Sequence, residues 1–463
     1  PAGRQPRASA LDGLRLRELR LQGRWSPQAG APSRGILTLN QARLDAADGT
    51  LTASGRIDTA APRFTGQVGL DLPGVRGRWQ GDLAQTEGNG DLAIDLGDAA
   101  RLLAWLRGLQ DLPWVGDRIR GMLDTQPGLQ AQGSAAWRLQ WQGGLGALGF
   151  PGGAAASASP RVDSNLSVPR LALQRDGPGD GDRTEPERLL LTDTRLRVQG
   201  PMRALVLDLE ARAEHGPWRA TLDTAGQADL GAGPLDIDDG ALRLDRLKLL
   251  VTQGLDTPRV VDWTLNSPAP LQARWQKARS ALNLQVDAAS LRLQPVVRGR
   301  NGTTETPLLL AWDRLDWRDG ALQTRGRLEG LPLAWVDALG ATQADQPGPL
   351  ARAGLGGDLI FDGRWDITLP SDASTPPQLN ATLQRRSGDL SVQTDGAFDE
   401  NASVRQRVQA GVRTAQIDLS SSGRTVQARL RWDSERFGQI TGEVATELSP
   451  PDTAHGAWHW PDA

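Results

Sequence analysis

An alternation of apolar and polar residues with period two constrains this chain more than any other feature. From Leu129 to Gly143 every odd position is apolar or small (Leu129, Ala131, Gly133, Ala135, Trp137, Leu139, Trp141, Gly143), and the residues between them are polar apart from Ala136. Successive side chains of an extended strand point to opposite faces, so this stretch reads as a strand with one dry face and one wet face. A helix would need a period of 3.6. The same pattern recurs at Leu51–Ile57, Phe64–Leu70, Val75–Leu83, Leu205–Ala211, Leu282–Val286, Leu359–Ile367 and Val426–Trp432. Strands are therefore expected along the whole chain.

Turn chemistry separates them. Asp48–Gly49, Asp239–Gly240 and Asp319–Gly320 each lie between alternating runs, and Asp-Gly supplies the positive φ angles of a tight hairpin. Leu44–Arg56 and Leu315–Arg327 share Leu, Asp, Asp-Gly, Leu and Gly-Arg at matching positions, and Gly-Arg-Trp recurs at Gly23–Trp25, Gly77–Trp79 and Gly363–Trp365. No fixed period links these copies, so they form a recurring hairpin grammar rather than a solenoid. Helical signals are few. Asp98 is expected to cap a helix carrying Ala99, Leu102, Leu103, Leu106 and Leu109 on one face. Pro113 opens a second with Val115, Ile119, Met122 and Leu123, and a short third covers Pro332–Leu339. Loops are expected at 149–160, 176–186, 299–306, 341–353 and 370–378.

Composition narrows the function classes. The 463 residues are 38% hydrophobic, with 54 glycines and 30 prolines, which argues against wholesale disorder. A net charge of −3, from 52 basic and 55 acidic residues, provides no global field for recruiting nucleic acid or an anionic membrane. With no cysteine, disulfide scaffolds, thiolate metal sites and thiol catalysis are excluded; the same absence suits an oxidising compartment such as the periplasm. The only lysines are Lys248 and Lys277, and the excess of Arg, Ala, Gly and Leu suggests a GC-rich bacterial genome. The densest apolar stretches, Leu102–Leu106 and Leu308–Trp312, fall far short of the ~20 residues that span a bilayer.

One apolar face per strand must be covered, the helices are too few to do it, and open sheets rarely exceed about ten strands without curling or splitting. Stacked sandwiches would need regular linkers, which the pattern lacks. The expected fold is all-β: one long sheet folded lengthwise, a β-taco or half-barrel with a hydrophobic interior and a few short helices. Three segments are expected: residues 1–148 with a helical insert near 98–123, a loop-rich connection at 149–186, and a continuing sheet over 187–463.

The hairpin grammar, the segment Gly330–Gly340 (GLPLAWVDALG), the run Leu430–Arg436 (LRWDSER) and the closing Trp458–Asp462 (WHWPD) resemble the TamB family. That family is the inner-membrane component of the translocation and assembly module and a relative of AsmA-like, bridge-like lipid transfer proteins. The resemblance covers most of the chain. It implies a taco-shaped sheet with a hydrophobic groove in the periplasm and a role in phospholipid transport toward the outer membrane. An outer-membrane barrel partner of the TamA type would be engaged through regions outside this chain, which would be an internal piece of a longer protein anchored to the inner membrane by a segment it does not include.

On this reading the groove is lined by Leu51, Ile57, Phe64, Val68, Leu70, Trp79, Leu83, Leu92, Ile94, Trp137, Leu139, Trp141, Leu207, Leu209, Leu284, Val286, Phe361, Trp365, Leu383, Val392, Leu419, Leu430, Trp432 and Val444. The partner is the acyl part of a phospholipid, with no nucleic acid, no nucleotide and no cofactor. Transport is passive, because neither a P-loop nor a Gly-rich strand–helix turn occurs. A second reading is a scaffold that holds translocating outer-membrane proteins along unpaired strand edges.

Enzyme chemistry finds little support. His455 and His459 are four apart, but Gly456 lies between them and the tryptophans at 458 and 460 suggest a strand. Asp176, Asp180 and Asp182 lack the bidentate Glu of a calcium loop. Ser391 and Ser420–Ser422 have no histidine near in sequence to serve as base. Most of the sixteen tryptophans fall in phase with the apolar face, which favours core or groove filling over ligand stacking. A membrane barrel would want girdles of Tyr and Trp, and the chain has no tyrosine.

Overall fold

A computed structural model of the chain describes residues 16–84, 87–109, 121, 128–143, 160–175, 187–230, 239–253, 261–278, 281–297, 307–335, 348–372, 374–395 and 405–450. The protein is all-β and antiparallel, and it divides into two units, Pro1–Ile237 and Asp238–Ala463.

In the first unit the strands are β1 (Leu16–Gln28), β2 (Ala31–Ala46), β3 (Gly49–Asp58), β4 (Arg63–Leu72), β5 (Val75–Ala84), β6 (Gly88–Leu96), β7 (Gln130–Gln142), β8 (Arg161–Arg175), β9 (Glu187–Pro201), β10 (Leu205–His215) and β11 (Trp218–Asp229). Each pairs with the next in sequence, a meander in which register follows the alternation. A one-residue slip would turn every apolar side chain to the wet face, so the pattern specifies the pairing. Tight turns sit where glycine allows them: Pro73–Gly74 joins Leu72 to Val75, and Gly74 has φ 81°.

The expected helix forms as α1 (Ala99–Gly108). Asp98 caps it by accepting the Arg101 N–H at 3.1 Å, and Leu103, with Leu106 and Leu109, packs on Ala131 of β7. The helix expected from Pro113 lies outside the described residues apart from Gly121, as do the loops at 176–186 and 299–306, all but Pro160 of 149–160, and His455, His459, Asp176, Asp180 and Asp182.

The second unit holds β12 (Asp239–Gln253), β13 (Val261–Asn266), β14 (Leu271–Ala278), β15 (Ala281–Val286), β16 (Ala289–Val297), β17 (Leu308–Arg318), β18 (Ala321–Pro332), β19 (Leu355–Gly357), β20 (Ile360–Leu369), β21 (Gln378–Ser387), β22 (Leu390–Asp395), β23 (Arg405–Gln409), β24 (Val412–Ser422), β25 (Thr425–Ser434) and β26 (Gly438–Glu447). The long strand β12 pairs with β13 along one half and β14 along the other. Their partners β16 and β15 both meet β17, and the sheet runs on through β18, β20, β21, β24, β25 and β26. A second, three-stranded sheet joins β19, β22 and β23.

Several local expectations change. Only Asp319–Gly320 forms the Asp-Gly hairpin, with φ 48° and 84°, between the paired residues Arg318 and Ala321. In the matching repeat the two-residue loop is Ala47–Asp48, one position earlier. Gly49 then pairs with Ala46, which sets Leu44 opposite Leu51. Asp239–Gly240 is no turn at all: it begins β12, where Gly240 lies opposite Trp275. Pro332 closes β18 and a turn follows at Leu333–Ala334, so the expected short helix starts later, at the helical Trp335, with 336–339 outside the described residues; the expected loop at 341–353 contains the short helix α2 (Pro349–Arg352).

The small sheet is fastened by one carboxylate. Asp389 accepts the N–H groups of Gly411 at 2.9 Å and of Val412 and Leu390 at 2.8 Å, beside a cluster of Leu359, Ala410, Val412 and Ala415. Burial acts against its charged form, but the N–H groups of Val412, Gly411 and Leu390 outweigh that and hold the carboxyl below its usual range. A depressed carboxyl pKa adds stability above the unfolded value near 4, and that stability is lost as pH falls through the lower folded value. Asp389→Ala should lower unfolding stability by about 1–2 kcal/mol at pH 7. The gap should narrow in urea titrations near pH 3; an equal gap at both pH values would mean that the charge is not what holds the turn.

Candidate functional site

Cross-strand register gathers the apolar residues of the first unit into continuous rows. One row runs Ala53, Val68, Trp79, Leu92, Leu139, Ser164, Val198 and Leu207. The next runs Leu51, Leu70, Gly77, Ile94, Trp137, Leu166, Leu196 and Leu209. Ile57, Phe64 and Leu83 form a shorter row on the same face, and Phe64 stacks on Trp79 with ring centroids 5.3 Å apart. The expected lining residues of this unit therefore share one face. Of them only Trp141 is buried, Leu51 is exposed, and the rest are half-buried. Among the described residues the single helix α1 packs on it, at the Ala131 end of β7.

Between the rows lies a line of glycines that the expected lining set omits: Gly55, Gly66, Gly81 and Gly90 are paired in register across β3 to β6 and continue onto Trp141. A Cβ on Gly55 would come within 2.7 Å of the Gly66 Cα, and one on Gly90 within 2.4 Å of the Trp141 ring. Trp365 covers Gly326 in the same way, and Trp25 covers Gly35. Indoles thus lie over cross-strand glycines, which supplies the apolar contact that a missing side chain cannot.

Hydroxyls on the apolar face have a matching role. Ser164 accepts the Trp137 indole N–H at 2.9 Å, and Thr324 accepts that of Trp365 at 3.1 Å. The indole nitrogens of Trp79, Trp141 and Trp263 are buried without a partner.

In the second unit, Trp365 and Leu419 share a row with Trp312, Gly326, Ala381, Ala428 and Val444. Leu383 and Leu430 share the next with Leu310, Leu328, Gly363 and Ile417. Leu284 pairs with Trp317 and Val286 with Leu315, and Trp432 lies between Ala415 and Ile440. Toward β26 the face opens: Ile417, Leu430, Ile440 and Val444 are exposed, Val444 at 70%. Phe361 and Trp432 pack against the Leu359 cluster, while Trp263 meets Trp335 edge-on at 5.0 Å in a cluster with Leu308. Val392 is not on this face; it pairs with Leu355 and Val408 in the small sheet.

The opposite face carries ions. Arg63 is bonded through Nε to both Asp82 oxygens at 2.8 Å, Arg138 pairs with Asp95 at 2.9 Å and Arg431 with Asp418 at 2.7 Å. The Arg63 guanidinium holds the Asp82 carboxyl below its usual range. Comparison with protein-family models, with curated proteins and with solved structures gave no match.

Among the described residues no group of three or more His, Cys, Asp or Glu could hold a metal ion, and no helix is long and apolar enough to cross a membrane. His215 ends β10, Ser391 is the second residue of β22, and Ser420–Ser422 end β24. Leu166, Leu196, Trp312, Trp317 and Ile417 belong to the apolar rows but not to the expected set. The alternation around Trp312 and Leu166 is broken by bulges at Trp312/Arg314 and Ser134/Ala136, which shift its phase.

Proposed function

We propose that this chain is a periplasmic lipid conduit of the TamB and AsmA-like type, not an enzyme, in which the apolar face curls around acyl chains and passes phospholipids between inner and outer membrane. The observation that carries the reading is the half-buried state of the registered rows from Ala53 to Leu207 and from Leu70 to Leu209, with Leu51 exposed at the end of the second. Tryptophan, leucine, isoleucine and valine in ordered rows gain roughly 25 cal/mol for each Å² withdrawn from water, and an acyl chain withdraws that area without demanding a hydrogen bond. From β3 to β10 the rows cross seven inter-strand steps of ~4.8 Å, on the order of 34 Å. That exceeds the ~15 Å an acyl chain occupies in one leaflet of a ~30 Å bilayer core. The rows themselves carry no ionisable side chain, so a chain sliding along them meets no fixed charge.

The test is lipid extraction and mass spectrometry of the purified chain: co-purified phospholipid supports the conduit, and a lipid-free protein that takes up none from vesicles rejects it. The scaffold reading keeps one observation in its favour. Among the described residues β1 pairs only with β2 and β26 only with β25, and both are exposed along nearly their whole length. Photo-cross-links from Arg20 or Thr441 to unfolded outer-membrane proteins, with no bound lipid, would favour it.

A further inference from the structure

The ionic face of the first unit contains a cavity of about 1110 Å³ spread over β2 to β7. Register explains why it is hollow. The row through its centre runs Arg43, Thr52, Gly69, Arg78, Ala93 and Arg138, so Arg78 has glycine on one side and alanine on the other. Arg43 is held by Asp45 at 2.7 Å, Arg138 by Asp95 at 2.9 Å and Arg76 by Asp71 at 3.5 Å. Arg78 has no such carboxylate among the described residues, which leaves one guanidinium in excess in the middle of the basin. On its β3–β4 side the Thr50 hydroxyl donates to Asp45 at 2.8 Å and the Gln67 amide donates one N–H to the Ser54 hydroxyl at 3.1 Å, which leaves the second Gln67 N–H and the Ser54 O–H as donors there.

We propose that this basin binds a phosphate group, with Arg78 as its central anchor. A guanidinium presents two parallel N–H donors to an oxyanion, and a tetrahedral phosphate has oxygens left over for the Ser54 hydroxyl, the second Gln67 N–H and neighbouring arginines. A planar carboxylate would satisfy Arg78 alone and leave the rest of the basin wet. The site lies on the face opposite the apolar rows and stands independently of the conduit reading. The phosphate belongs to a lipid headgroup or to a small soluble phosphate ester.

Titration of the full 463-residue chain separates these sources. Glycerol 3-phosphate and inorganic phosphate are titrated calorimetrically, and phosphatidylglycerol vesicles are compared with phosphatidylcholine vesicles by flotation. Arg78→Gln should weaken binding at least about tenfold. Ala93→Glu, which supplies Arg78 with an internal carboxylate, should do the same with the melting temperature unchanged. Vesicle binding that glycerol 3-phosphate competes away assigns a headgroup, and soluble binding alone assigns a small ester; both uphold the site. No phosphate binding by the parent chain, or binding by Arg78→Gln and Ala93→Glu as tight as the parent's, overturns it.

Discussion

Leu139→Asp should reduce phospholipid bound to the purified chain at least about tenfold, the equivalent of some 1.4 kcal/mol. Gln140→Lys, one residue away, should leave it within about twofold. Leu139 lies between Leu92 and Ser164 in register, with Trp137 and Trp141 two residues to either side on the same face. A carboxylate there meets acyl chains with no partner, and an ionised group resists such surroundings by several kcal/mol. Gln140 points to the other face, opposite Asp91 and Asp163, where a lysine gains two carboxylates and remains in water. Because Leu139 is only half-buried, the fold itself should lose about 1–2 kcal/mol, less than the 2–5 kcal/mol typical of a leucine removed from a closed core. The readout is bound-lipid content beside a urea unfolding curve. Equal lipid loss in both variants, or loss in neither, would remove the one-sided face from the account of lipid binding.

Trp141→Ala should destabilise the first unit by about 3 kcal/mol, and most of that loss should be recoverable from the strand next to it. Trp141 is 5% exposed and its ring sits where a Cβ on Gly90 would fall, 2.4 Å away. Gly90→Leu alone should cost about 2 kcal/mol through overpacking. In the double variant the leucine enters the space the indole vacates, so the two penalties should fall short of their sum by at least about 1 kcal/mol. Trp141→Phe should be tolerated far better than Ala, since it keeps the ring over Gly90 and removes a buried indole N–H that has no partner. Strict additivity between positions 90 and 141 in denaturant unfolding would show that the indole does not stand in for the missing glycine side chain.

Much of the architecture was legible from residue order. Alternation located β3, β4, β5, β7, β10, β15, β20 and β25, and the Asp98 cap located α1, because both signals are local: side-chain direction along a strand and one carboxylate on an orphan N–H. The same local rule chose the face on which Leu139, Trp79 and Trp365 stand. It failed where neighbouring strands had to be consulted. The copies Leu44–Arg56 and Leu315–Arg327 share their Asp-Gly, yet turn at different residues, because each hairpin takes the register that matches apolar partners across it.

Val392 alternates like a member of the long sheet and pairs instead in the small one, where β19, β22 and β23 complete each other's ladder. The glycine line, the indoles above it and the Arg78 basin have no signature in any single strand. Gly55, Gly66, Gly81 and Gly90 are separated by 11, 15 and 9 residues in sequence and become a row only when four strands are paired. Residue order thus determined strand, face and cap, since each depends on the backbone within a few residues. Tertiary structure alone decided which glycine lies under which tryptophan and which arginine is left without a carboxylate, since those depend on register between strands.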